Sequence, residues 1–292
     1  MLNSILIQGF IFAIMSLGVY ITYKILDFPD LSVDGTFPLG AAITAILIVK
    51  GVNPYITLLV SFLGGTIAGM ITGIIHVKLK VRDLLAGIIM MTALYSINLR
   101  IAGKANVAFT TKDTIFTKSI FRELLRGVSG KTITLIVLVM IVLLLKIVID
   151  FYLKTRAGYL LRAVGDNKTL VTTLGKDIGL VKIIGLSLAN GLAALAGCIY
   201  AQEERYFDIS MGTGMVVIGL ASVIIGINVF ERFDKIKPTT AVIAGTILYK
   251  ACWALAIKKG LSANDLKLVT AVLFLIILVL TQEKKRKVNK NA

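Results

Sequence analysis

Long uninterrupted apolar runs recur along the whole chain and constrain its fold more than any other feature. Examples are residues 5–26, 55–77, 132–153 and 181–201. Each exceeds the roughly 18 residues that a helix needs to cross a bilayer. The runs are continuous rather than alternating, which favours helices over a transmembrane barrel. The sequence therefore predicts an all-α polytopic membrane protein.

The number of crossings depends on one short segment. The runs together predict about eight or nine transmembrane helices in a single membrane domain spanning residues 1–292. The apolar run at residues 39–49 is short for a full crossing, and a stretch rich in acids and prolines precedes it. We expect a broken or re-entrant helix here, because irregular backbone at membrane depth is tolerated where it lines a cavity.

The positive charge of the chain indicates orientation rather than nucleic-acid binding. The formal net charge is +16, and most Lys and Arg residues lie between the apolar runs. Cytoplasmic loops of membrane proteins are enriched in these residues. We therefore expect residues 78–82, 154–180 and the tail 281–292 in the cytoplasm of a multi-pass plasma-membrane protein. The basic interval 103–131 would lie outside, as long loops can.

The longest polar interval in the second half of the chain is residues 155–180. It predicts a helix over residues 159–164, a turn over 165–167 and a second helix over 168–174. Leu160, Leu161 and Val164 share one face of the first helix. Such a basic, partly apolar hairpin suits docking into a groove on a soluble partner. The alternative is an ordinary solvated loop.

Polar side chains in or near the apolar runs are candidates for a translocation pathway, since polar groups are costly in a membrane. They are Asp34, Thr36, Thr92, Ser96, Asn98, Asn190 and Asn228. Taken singly, each amide or hydroxyl could equally bond a neighbouring helix. Asp27, Asp30 and Asp34 could contact a substrate ammonium, bind a partner, or cap the helix that follows.

Gly65, Gly69 and Gly73 recur at four-residue spacing within one apolar run. Small residues at this period allow helices to approach closely. The pattern indicates a tight helix interface, although glycine is common in membrane helices generally.

No catalytic or cofactor-binding pattern is evident. Gly130, Lys131 and Thr132 match the end of a phosphate-binding loop, but its first glycine would fall on Leu125. The two cysteines lie in apolar runs, without metal-ligand spacing. We therefore expect no enzymatic activity, no metal and no cofactor on this chain.

Several stretches resemble a known family. The sequences TRAGYLLRAVGDNK (155–168) and LGKDI (174–178) are similar to the coupling region of branched-chain amino-acid-type permeases of ABC importers. The sequences DFPDLSVDGTFPLGA (27–41), LAGIIMMTALYSINLR (85–100) and GLASVIIG (219–226) resemble its subgroup of tryptophan/tyrosine transport permeases. The similarity covers nearly the whole chain, and the lysine-rich tail extends beyond it.

The resemblance implies a homodimeric permease that moves a small solute inward, with an aromatic amino acid as the best expectation. A cytoplasmic ATPase subunit would carry ATP and Mg²⁺, and an extracytoplasmic solute-binding protein, often a lipoprotein, would deliver the solute. The residues implied in coupling to the ATPase are Arg156, Gly158, Arg162, Gly165, Asp166, Asn167 and Lys168. Glu203, Glu204 and Asp208 would receive the binding protein.

The main alternative is a stand-alone ion- or proton-coupled secondary transporter. It requires a carboxylate or histidine near the middle of a span. Between residues 55 and 99 only His76 and Asp83 are candidates, and both lie near a turn. A membrane scaffold or enzyme would leave the hairpin unexplained.

Overall fold

The computed structural model describes residues 2–118, 127–173, 175–230 and 236–258, together with residues 268, 271, 272, 275, 276 and 279. Most of the predicted last span and the whole basic tail lie outside this part of the chain. Within it, seven helices are long and apolar enough to cross a membrane, with one shorter apolar helix. The predicted all-α polytopic class is confirmed.

The helices follow one another in the order of the chain. They are α1 (Leu2–Val19), which continues as a π-helix (Tyr20–Ile25), α2 (Val33–Val49), α3 (Pro54–Val77), α4 (Asp83–Ala102), α5 (Gly130–Tyr152), α6 (Arg156–Asp166), α7 (Lys168–Thr173), α8 (Ile178–Glu204), a 3₁₀ turn (Ile209–Gly212), α9 (Met215–Phe230) and α10 (Pro238–Lys258). Strands β1 (Asn106–Ala108) and β2 (Tyr206–Asp208) pair antiparallel.

The short helix predicted after the first span is longer than expected. It begins at Val33, six residues before the apolar run, because Asp34, Gly35 and Thr36 are already helical. The Thr36 hydroxyl donates to the Ser32 carbonyl at 2.9 Å and supports this first turn. At 17 residues, α2 is about 26 Å long, shorter than the spans around it.

Helix α8 is the central element, and α3 packs along it through the predicted glycine interface. A Cβ added at Gly65 would overlap the Asn190 carbonyl, and one at Gly69 would overlap the Leu186 carbonyl. At Gly73 it would come within 2.9 Å of the Ile183 Cα. The tight interface is confirmed, since only glycine allows this approach of two backbones.

Gly69→Ala should destabilise the protein by about 1–3 kcal/mol, because neither backbone can yield to the added methyl group. Thermal unfolding in detergent would measure the change. The matched control is Gly64→Ala on the same helix, where the new Cβ meets only the terminal methyl of Ile43. Equal unfolding temperatures for the two variants would contradict the interface.

The polar hairpin forms one end of the bundle, which we call the hairpin end. Helix α6 begins at Arg156, earlier than predicted, because the Thr155 hydroxyl caps it by accepting from the Gly158 N–H. Gly165 and Asp166 belong to this helix and not to the predicted turn, which is reduced to Asn167. Helix α7 follows as predicted, and its predicted last residue, Leu174, lies outside the described residues.

The two short strands mark the opposite end, which we call the sheet end. Helix α8 reaches Glu204, so Glu203 and Glu204 lie in its last turn. Gln202 is buried there and binds both the Thr57 hydroxyl (3.0 Å) and the Ile115 N–H (2.9 Å). The strands were not predicted. Residues 115–117 form turns, and residues 119–126 lie outside the described part.

Candidate functional site

A buried polar cluster holds the start of α2 against the middle of α8. Asn190 lies twelve residues after Ile178 and fourteen before Glu204, the two ends of α8 (190 − 178 and 204 − 190). Its amide nitrogen donates to Asp30 at 2.7 Å, and its oxygen accepts from the hydroxyls of Ser32 (3.0 Å) and Thr36 (2.7 Å). Helix α2 therefore begins at mid-depth in the bundle.

Helix α9 begins at the same depth, capped by a residue from α2. The Asp34 carboxylate accepts from the backbone N–H groups of Gly214 (3.0 Å) and Val216 (2.8 Å). Capping of the helix that follows was one alternative for Asp34, but its carboxylate instead caps α9, 180 residues away in the sequence. Because these N–H groups occupy the carboxylate, Asp34 is less available to a substrate ammonium than its sequence position suggested.

A short internal repeat accompanies the two helix starts. In Asp30-Leu31-Ser32 the aspartate side chain accepts from the serine N–H at 2.8 Å, and Asp208-Ile209-Ser210 forms the same turn at the same distance. This Asp-x-Ser repeat was not predicted, although it is visible in the sequence. Interrupted helices at corresponding positions of two repeats mark the binding site in many transporters.

A cavity of about 520 Å³ opens beside these two helix starts. Four of the predicted pathway residues line it, namely Asp34, Thr92, Ser96 and Asn98. The Asn98 amide nitrogen donates to the Gly35 carbonyl at 3.0 Å. Its oxygen is buried without a hydrogen-bond partner within the described part of the chain. Buried polar atoms without a partner are uncommon, and this one belongs to a residue that lines the cavity.

The remaining predicted pathway residues lie elsewhere. Thr36 and Asn190 are buried in the polar cluster rather than along the cavity. Asn228 lies in the last turn of α9, far along the helix from its start beside Asp34. Tyr95, Ser210 and Thr213 line the cavity although the sequence analysis did not select them.

The polar hairpin is anchored to two spans, one through each of its two glycines. A Cβ at Gly158 would overlap the Tyr152 carbonyl at the end of α5, and one at Gly165 would overlap the Ile25 carbonyl at the end of the π-helix. Leu161 and Val164 are fully buried below them. The hairpin therefore rests rigidly on two spans.

The polar candidates of the hairpin point away from the bundle. Arg156, Arg162, Asp166 and Asn167 are exposed, while the Lys168 side chain lies outside the described residues. The predicted division of α6 into an apolar inner face and a basic outer face is confirmed, with Leu160 half-buried at its edge.

The docking candidates occupy the sheet end. Glu203 and Glu204 are half-buried in the last turn of α8. Asp208 accepts from the Ser210 hydroxyl, the Ser210 N–H and the Asn106 amide. The hydrogen bond from the Ser210 hydroxyl is the main cause that lowers the pKa of Asp208, so this carboxylate stabilises the local turn.

Two ionisable groups in the spans escaped the sequence analysis. Asp150 joins α5 to α10, since it pairs with Lys146 (2.9 Å) and Lys237 (3.1 Å) and accepts from the Thr239 hydroxyl. Lys250 is buried in α10. A charged residue within an otherwise apolar run was the signal for both.

Known proteins of similar sequence include transport permeases. A tyrosine transport system permease protein of Clostridioides difficile is 43% identical over 275 residues, covering 94% of this chain and 89% of that protein. An uncharacterised protein of Rickettsia prowazekii is 32% identical over 275 residues, with 93% and 94% covered. The ribose import permease protein RbsC of Escherichia coli K12 is 27% identical over 228 residues, with 77% and 68% covered.

No solved structure matches the chain. The family described as "Branched-chain amino acid transport system / permease component" matches residues 1–280, nearly the entire length. The similarity thus includes the hairpin, the two helices that begin at mid-depth (α2 and α9) and the sheet end. The chain belongs to the branched-chain amino acid transport system permease family.

Proposed function

We propose that this chain is the membrane-spanning subunit of an ABC importer that moves an amino acid inward, driven by ATP on a separate subunit. Membership of the permease family supports a transport role and implies an ATPase and a solute-binding protein as partners. One observation carries the coupling: Gly165 of the exposed basic hairpin packs directly on the Ile25 carbonyl at the end of the first span.

This contact gives a short mechanical route to the centre of the bundle. Ile25 ends the π-helix, and Ser32, seven residues later, already belongs to the Asn190 cluster. Leu26 also lies beside Gly185 and Leu161. Displacement of α6 by closing ATPase subunits would therefore move the chain that holds the start of α2. Rigid-body shifts of this kind switch transporters between outward-facing and inward-facing states.

The proposed assembly has a defined polarity. The hairpin end faces the cytoplasm, where the ATPase subunit binds ATP and Mg²⁺ and contacts Arg156, Arg162 and Asp166. The sheet end receives the solute-binding protein near Glu203, Glu204 and Asp208. Two copies of the chain enclose one pathway, and the basic C-terminal tail is cytoplasmic.

The proposed solute is an aromatic amino acid, tyrosine in the first instance. The tyrosine transport system permease protein is 43% identical to the chain along most of its length. The 520 Å³ cavity combines polar groups with Tyr95 and Met91. Pockets of this size and mixed lining suit small organic ligands.

Reconstitution in sealed vesicles tests the proposal. Uptake of labelled tyrosine should require the chain, its ATPase subunit, the solute-binding protein and MgATP together, and should be absent when any one is omitted. An ATPase subunit disabled in hydrolysis serves as the control. Concentrative uptake by this chain alone, driven by an ion gradient, would instead establish the secondary-transporter alternative.

A further inference from the structure

Lys250 carries an ammonium group buried in a membrane helix, and no acidic residue in the described part of the chain pairs with it. Its side chain lies in α10 and the residue is 6% exposed. Among the described residues, the ion pairs join other lysines to Asp113 and Asp150, and none involves Lys250. The predicted last span, residues 266–280, contains neither Asp nor Glu in its sequence.

The contacts of Lys250 within the chain do not offset its burial. Its Nζ lies 3.9 Å from the centre of the Phe12 ring and 4.9 Å from that of Trp253. Such cation–π contacts contribute about 0.5–2 kcal/mol each. Removing an ammonium from water costs several kcal/mol even after relaxation. A buried charge of this kind in a membrane protein usually serves binding or transport.

The lysine borders a cavity with aromatic walls. This cavity has a volume of about 370 Å³, within the range of small-molecule sites. Phe12, Tyr200 and Trp253 provide ring surfaces, and Gln8 adds an amide. The lining thus combines one cation with several rings, which matches a carboxylate carried on an aromatic body.

The cavity adjoins the candidate pathway. Thr213 lines both this cavity and the 520 Å³ cavity beside Asp34, so the start of α9 separates the two. The nearby backbone N–H groups of Gly214 and Val216 are already bonded to Asp34. Among the described residues that line this cavity, Lys250 is the one with a positive charge, so it can neutralise an anion.

We propose that Lys250 and its aromatic walls form a solute site in which the ammonium pairs with the α-carboxylate of an aromatic amino acid. The inference rests on the proposed function, because it takes the transported solute as its ligand. The ring of the solute packs against Phe12 and Trp253. Its carboxylate supplies the negative charge that pairs with the Lys250 ammonium.

Trp253 gives a direct measurement, since it is the one tryptophan in the sequence and lies in this cavity. The full-length permease in lipid nanodiscs should show a saturable change in tryptophan fluorescence on titration with L-tyrosine. Tyramine, which lacks the carboxylate, should bind at least about tenfold more weakly, as expected for loss of a charge-assisted hydrogen bond.

The variant Lys250→Met should abolish the tyrosine response, and Lys258→Met, an exposed lysine on the same helix, should retain it. Because the native ammonium is buried at a cost, Lys250→Met should also unfold at the same or a higher temperature. A markedly lower unfolding temperature would assign Lys250 a structural role and overturn the proposal.

Other outcomes would overturn it as well. Equal responses to tyrosine and tyramine would exclude carboxylate recognition. A co-purifying fatty acid or anionic lipid, lost only from Lys250→Met and accompanied by no tyrosine response, would assign the cavity to lipid. In either case, ATP-driven tyrosine uptake in vesicles would still support the proposed function. Failure of the Lys250 site can therefore be distinguished from failure of the proposed function.

Discussion

ATP-driven tyrosine uptake is expected to fall about a hundredfold in Gly165→Val. Any side chain at this position would overlap the Ile25 carbonyl, so α6 must move away from the first span. Overpacking of this kind costs about 1–3 kcal/mol, and 1.4 kcal/mol corresponds to a tenfold change. Uptake would be measured in vesicles that contain the ATPase subunit and the binding protein.

The same variant should still hydrolyse ATP in complex with its partner, because the exposed residues of α6 are unchanged. Transport and hydrolysis would then be uncoupled. Gly130→Ala is the matched control, since a Cβ there meets open space at the start of α5. Native uptake in Gly165→Val would show that the contact with Ile25 does not transmit the motion.

Hydropathy predicts the spans well because each residue contributes its own transfer free energy, independent of its neighbours. The runs at residues 55–77 and 132–153 correspond closely to α3 and α5. The amphipathic pattern of α6 was also predicted correctly. Local sequence determines such features, so they can be read without knowledge of the tertiary contacts.

Partnerships between distant residues could not be predicted in this way. Asp34 was expected to cap the helix that contains it, yet it caps α9. The pairing of β1 with β2 joins residues about a hundred positions apart. Hydropathy averaged over a window also hides Lys250 among its apolar neighbours. The informative property of Lys250 is its burial beside a cavity, which such an average does not show.

Tertiary contacts also decide which of the predicted pathway residues line the cavity and which are buried between helices. Thr92 and Ser96 lie one turn apart on α4 and Asn98 lies on another side of that helix, yet all three line one cavity together with Asp34. Asn190 looked equivalent in sequence, but it is fully buried, with α3 packed on it and the Thr36 hydroxyl of α2 bonded to its side chain. Whether an amide faces a cavity or a neighbouring helix depends on packing, which the single sequence does not encode locally.

Asn190→Leu should destabilise the protein by about 3–5 kcal/mol, the largest stability effect that we expect. The leucine would leave Asp30 without its 2.7 Å donor and the hydroxyls of Ser32 and Thr36 without their shared acceptor. Buried polar groups without partners, above all a carboxylate, carry the full cost of desolvation. Thermal or denaturant unfolding in detergent would measure the loss.

An exchange of the Asp30 and Asn190 side chains separates the effect of lost hydrogen bonds from the effect of changed side-chain volume. The double variant Asp30→Asn/Asn190→Asp keeps one carboxylate and one amide in the cluster, so it should recover most of the stability lost in Asn190→Leu. Thr92→Val is the control, because the Thr92 hydroxyl is exposed and bonds only its own helix at Ile88. It should change stability by less than about 0.5 kcal/mol. If Asn190→Leu were equally mild, the cluster could not be what holds the start of α2 at mid-depth, and the route from the hairpin to the cavity would end at Ile25.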